Sequence, residues 1–109
     1  MSKPTDLVQG TLDLLILKTI ALEPLHGWGI AQSIQQTSEE VLRVEEGSLY
    51  PALHRLELDG LIDAEWGQSE NKRRAKFYKL TDRGRKALVQ ETDHWQQLAR
   101  AIARVMETA

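Results

Sequence analysis

The sequence contains no cysteine. Disulfide scaffolds and thiolate metal sites are therefore excluded. It also lacks any long apolar run: the longest, Leu14 to Leu17, is far short of the roughly 20 residues that cross a bilayer. Nothing near Met1 has the layout of a signal peptide, so no membrane attachment and a cytoplasmic location are expected. Enzyme signatures are missing too. His26-Gly27-Trp28-Gly29 follows no strand pattern and lacks the rest of a phosphate loop. His26, His54 and His94 have no metal-ligand spacing, and no nucleophile sits in a familiar frame. The reading is of a non-enzyme without metal or other cofactor.

What is present fits one folded domain: 109 residues, 41% hydrophobic and 28% charged. The net charge of −2 hides a segregation. Residues 1–60 carry a balance of −5, residues 61–86 of +4, and residues 87–109 of −1. From Lys72 to Lys86 there are eight basic residues and one acid, Asp82. Charge sorted in this way makes a local field that steers anions.

The apolar spacing gives the order of elements. Residues 7–22 predict a helix apolar nearly all round, with Leu12, Leu15, Ile16, Thr19 and Ile20 on one face, stopped by Pro24. A second helix begins near Gly27, with Ile30 and Ile34 inward. Ser38 to Glu46 reads as an acidic connection. A third helix spans Gly47–Asp59, because Pro51 is tolerated only in a first turn. Its inner side is Leu49, Ala52, Leu53 and Leu56; its outer side is Tyr50, Pro51, His54, Arg55 and Leu58. Gly60 closes it. Strand alternation follows at Ile62, Ala64, Trp66 and again at Lys76, Tyr78, Leu80, around a polar loop from Gly67 to Arg74. Thr81 and Asp82 suit the start of a long last helix.

Helix, helix, helix, hairpin, long helix is the plan of a winged helix-turn-helix: mainly α, with a two-stranded wing. Residues 1–81 form the DNA-binding part and residues 82–109 the C-terminal dimerisation helix. In this plan the third helix enters the major groove of double-stranded DNA. Ser48, Tyr50, His54 and Arg55 are the candidate contacts on that helix, Arg55 most naturally to guanine. Ser48 and the free amides of the helix start suit a phosphate. Lys72, Arg73, Arg74 and Lys76 are the wing cations. If four such charges on each of two protomers neutralise phosphates, the log–log salt slope of binding is about −7. Arg55 can instead pair with Asp59 one turn on.

On the last helix, Leu88, Trp95 and Ile102 recur every seven residues, with Leu98 and Val105 at the second seam position. That repeat predicts a partner helix, most simply the same helix of a second copy. Trp28 and Trp66 read as core or wing packing. A winged-helix module that binds proteins and has no operator is the alternative function.

Several segments together resemble the PadR family of bacterial transcriptional regulators. They are Gln9-Gly10-Thr11-Leu12, His26-Gly27-Trp28, Gly47-Ser48-Leu49-Tyr50-Pro51-Ala52-Leu53, Leu56-Glu57 to Gly60-Leu61-Ile62, and Tyr78-Lys79-Leu80-Thr81-Asp82-Arg83-Gly84. The resemblance runs in order over residues 7–106. It implies a homodimeric repressor that contacts its operator through Ser48, Tyr50 and His54 and through Lys72 to Arg74. It also implies release by a small planar or phenolic effector, with Trp95 on the helix where such a molecule binds. Trp28 stands where the family more often has Tyr, and Gly29 where a larger polar residue is common.

Overall fold

The computed structural model describes residues 5–6 and 9–108. Leu7 and Val8, the first two residues of the expected first helix, lie outside the described residues. The first helix, α1, runs Gln9–Thr19. It ends earlier than Pro24 requires, because the chain must turn to bring Leu25–His26 (strand β2) against a later strand. The Thr19 hydroxyl donates to the Leu15 carbonyl at 2.6 Å, a local bond that competes with helix continuation. Leu12, Ile16, Leu17 and Ile20 are buried. Leu17 falls outside the expected face because α1 is packed on by all three other helices.

Helix α2, Gly27–Thr37, buries Ile30 and Ile34 as expected. A short parallel pairing joins β1 (Thr5–Asp6) to β3 (Leu42–Arg43), so the acidic connection carries a strand. Helix α3 spans Glu46–Leu58 and buries Leu49, Ala52, Leu53 and Leu56. Pro51 therefore lies beyond the first turn. The bond it removes is the one to the Gly47 carbonyl, and Gly47 is exposed, so that carbonyl is open to solvent and the loss costs little. Gly60 takes a left-handed φ of 77° and ends the helix.

Strands β4 (Ile62–Gln68) and β5 (Arg74–Leu80) form the hairpin, each longer at the tip than alternation alone predicts. Gly67 faces Ala75 and Gln68 faces Arg74, which leaves a short tip at residues 69–73. Leu25 and His26 pair with Tyr78 and Phe77, so the wing sheet has three strands in the order β2-β5-β4. The core is one cluster drawn from α1, α2, α3 and the base of the hairpin, where Ile62, Tyr78 and Leu80 are buried.

Helix α4, Asp82–Glu107, has 26 residues and is about 39 Å long. The Thr81 hydroxyl caps it, accepting from the Gly84 amide at 3.0 Å while donating to the Gly60 carbonyl at 2.7 Å. Ala87 and Leu88 pack on the core. Beyond them the helix leaves the domain, and Leu98, Ile102, Val105 and Met106 are exposed.

Candidate nucleic-acid interface

Three elements converge on one cleft: the start of α2, the outer side of α3 and the wing. The cleft has a volume of about 350 Å³, and His26, Trp28, Tyr50, Trp66, Arg73 and Arg74 are among its walls. Its floor is set by α2. The His26 side chain caps that helix, its Nδ1 accepting from the Gly29 amide at 3.0 Å. The ring meets Phe77 edge-on, with centroids 5.4 Å apart. The sequence placed a helix start at Gly27 but gave no sign that His26 would cap it, since histidine is not a usual capping residue.

Tyr50 lies against this floor. A Cβ on Gly27 would sit 2.9 Å from both Cε1 and the hydroxyl of Tyr50, so the ring packs directly over the glycine. Tyr50 covers the start of α2 while remaining about half exposed. Replacing Gly27 by alanine is expected to displace Tyr50 while leaving the helix intact, because alanine is the better helix former. Duplex binding by Gly27→Ala should fall about tenfold with an unchanged circular dichroism spectrum. Unaltered binding would remove Tyr50 from the interface.

Burial pushes the neighbouring Tyr78 phenol above its ordinary value of 10.0. It stays neutral and forms part of the cleft wall.

The expected contacts divide into two groups. Ser48, Tyr50 and His54 are exposed on α3, and Lys72, Arg73 and Arg74 are exposed at the wing tip. Lys72 has a left-handed φ of 61°, which tightens the tip. Arg74 lies over the Trp66 ring at 4.4 Å, which orders its guanidinium. The other two cations are engaged elsewhere. Arg55 does not pair with Asp59: with 34% of its side chain exposed, its Nη2 donates to the Asp13 carboxylate on α1 at 2.6 Å. Burial raises the Asp13 pKa above 3.8, and the Arg55 charge only partly offsets this. Lys76 Nζ donates to Glu57 at 3.2 Å, tying wing to helix.

The start of α3 also differs from expectation. Glu45 occupies the capping position without making a side-chain cap bond. The Ser48 and Leu49 amides both donate to its carbonyl, at 3.0 and 2.9 Å. Ser48 thus offers only its hydroxyl to a phosphate. Glu46 in the first turn sets a negative charge at the same end of the helix.

Of the two expectations for Trp28 and Trp66, core or wing packing, the core is ruled out, while Trp66 does pack within the wing, under Arg74. Trp28 is 61% exposed and Trp66 57% exposed, so neither is core. Trp66 follows Ile62 and Ala64 in strand alternation, but the hairpin overhangs the core at that point.

A second concavity, about 620 Å³, lies between α1 and α4. Its walls include Leu14, Leu15, Leu42, Leu88, Val89 and Trp95. Trp95 stands half-exposed at this groove. Among the described residues there is no cluster of acids and histidines able to hold a metal, and no helix long and apolar enough to cross a membrane.

Comparison with known proteins agrees with this geometry. Residues 16–90 match the model of the PadR-like transcriptional regulator family. The chain is 38% identical over 89 residues to the transcriptional regulator Rv3488 of Mycobacterium tuberculosis, covering 82% of this chain and 79% of that one. It superposes on the crystal structure of smu.1704 from Streptococcus mutans with a TM-score of 0.84 at 30% identity, covering 98% of this chain and 94% of that one. A PadR family regulator from Eggerthella lenta gives a TM-score of 0.77 at 31% identity, with 93% and 86% covered. With three packed helices, a basic wing and a family match that runs from the end of α1 through the wing into α4, the chain belongs to the PadR-like family of transcriptional regulators, DNA-binding proteins of the winged-helix type.

Proposed function

We propose that this protein is a homodimeric repressor that binds a two-fold operator and is released by a small-molecule signal. The observation that carries the DNA half of this reading is the single cleft shared by Tyr50 of α3 and by Arg73 and Arg74 of the wing. The helix would enter the major groove with Tyr50 and His54 at its outer side, and the wing cations would hold phosphates or the adjacent minor groove. Ser48 contributes its hydroxyl. Arg55 and Lys76 drop out of the contact set, because Asp13 and Glu57 already hold them.

That subtraction changes a number. Three free wing cations per protomer, six per dimer, give a salt slope of about −5 rather than −7. The test is the double substitution Arg73→Ala with Arg74→Ala. It should weaken binding to every duplex and reduce the slope to about −2. An unchanged slope would take the wing off the DNA.

The dimer half rests on α4. Leu98, Ile102 and Val105 continue the seven-residue pattern of Leu88 and Trp95 into a part of the helix where these side chains are exposed. A second copy of α4, laid on this seam and on the α1 groove, would cover both. The effector, a small planar or phenolic molecule, would stack on Trp95 there. It would act by favouring one of two spacings of the recognition helices. Equal half-site spacing in operator-bound and effector-bound dimers would contradict that mechanism.

A further inference from the structure

The two tryptophans left outside the core stand on the same cleft. Trp28 lies at the second position of α2, and Trp66 rises from β4 on the overhanging part of the wing. Exposed indoles are costly in water, and two on one concave surface mark a binding face. The cleft combines aromatic and cationic walls: Trp28, Tyr50 and Trp66 on one hand, Arg73 and Arg74 on the other. A sugar–phosphate strand offers the matching pair of groups, an apolar deoxyribose face between anionic phosphates.

One face of Trp66 is already covered by the Arg74 guanidinium. That face cannot take a flat aromatic molecule. It presents an ordered cation beside a ring edge instead, which suits a phosphate followed by a sugar. The single acid on the wall, Glu70, lies 3.7 Å from His26 Nε2 and is largely exposed, so it can swing clear of an incoming strand.

We propose that this cleft seats one strand of duplex DNA as it passes from the major groove held by α3 to the minor groove at the wing. Trp28 and Trp66 pack on deoxyribose faces, and Arg73 and Arg74 hold the flanking phosphates. The proposal rests on the DNA-binding reading above and adds two residues to its interface.

Tryptophan is its own reporter here. The chain has three, at 28, 66 and 95, so two can be replaced by phenylalanine to leave one. Acrylamide quenching is then read with and without a labelled operator-length duplex, and anisotropy of the label reports binding in the same sample. Protection of Trp28 and of Trp66 on duplex binding, at least twofold in quenching constant, with Trp95 unchanged, is the expected result. Trp28→Ala and Trp66→Ala should each weaken binding about tenfold, and the phenylalanine variants much less. Trp28→Ala should leave the salt slope untouched, because no phosphate charge is lost. A rise in anisotropy while Trp28 and Trp66 stay as quenchable as in the free protein would overturn the strand track alone. No anisotropy change with any duplex would overturn the DNA-binding reading as well.

Discussion

Replacing Gly84 by alanine is expected to lower the melting temperature by at least about 10 °C, the equivalent of roughly 2–3 kcal/mol in a domain of this size. A Cβ at this position would lie 2.0 Å from the Leu61 carbonyl oxygen and 3.1 Å from a Leu80 methyl. The first of these neighbours is backbone and cannot rotate away. The same carbonyl accepts from the Thr81 amide at 3.2 Å, and Thr81 caps the helix that Gly84 belongs to. The first turn of α4 is thus docked on the end of α3 by closeness that only glycine allows. Alanine would push the helix outward, break the cap and loosen Leu88 from the core. Thermal melts of the native and substituted proteins at equal concentration check this, since melting of a dimer depends on concentration. A shift below about 2 °C would mean that α4 docks elsewhere.

The second large effect concerns association. Leu98→Glu together with Ile102→Glu should convert the proposed dimer to a monomer. Both positions are exposed in the single chain, so the fold should survive with its circular dichroism unchanged. Four carboxylates would then face each other across a parallel or antiparallel seam, buried without partners. Loss of the second recognition helix should cost about a hundredfold or more in operator affinity, because the second half-site no longer binds intramolecularly. Light scattering after size exclusion reads the mass, and anisotropy reads the affinity. A double variant that still elutes as a dimer would move the interface off α4.

Much of the fold is readable in the sequence where the pattern is local. Leu49, Ala52, Leu53 and Leu56 repeat at helical spacing, and all four are buried on α3. Thr81 and Asp82 mark a helix start that their own short side chains create. The unread parts depend on residues far apart in the chain. Arg55 pairs with Asp13, which lies 42 positions earlier, so helical spacing points to Asp59 instead. Lys76 meets Glu57 across 19 positions, and the third wing strand needs Leu25 to reach Tyr78. Pro51 shows a different limit. A first-turn rule locates it well only when the lost bond matters, and here the orphaned carbonyl belongs to exposed Gly47.

The site was partly readable for the same reason. Charge segregation found the wing tip, because consecutive basic residues share one turn. For Trp28 and Trp66 the sequence leaves core and wing packing both open, and the structure keeps both out of the core, with Trp66 packed under Arg74 in the wing. What alternation does not contain is how far the hairpin projects past its support. Tyr50 was read as a contact, and its packing on Gly27 explains why the third helix and the His-Gly-Trp segment belong together.

The central claim is that α3 and the wing read a duplex as one surface. Fluorescence anisotropy of the full-length protein against labelled duplexes tiled across the region upstream of its own gene, at several salt concentrations, tests it most directly. The account predicts tight binding to a discrete tile with a two-fold sequence and a log–log salt slope of about −5. Weak binding, equal on every tile with a shallow slope, would contradict it and assign the winged helix to a protein partner.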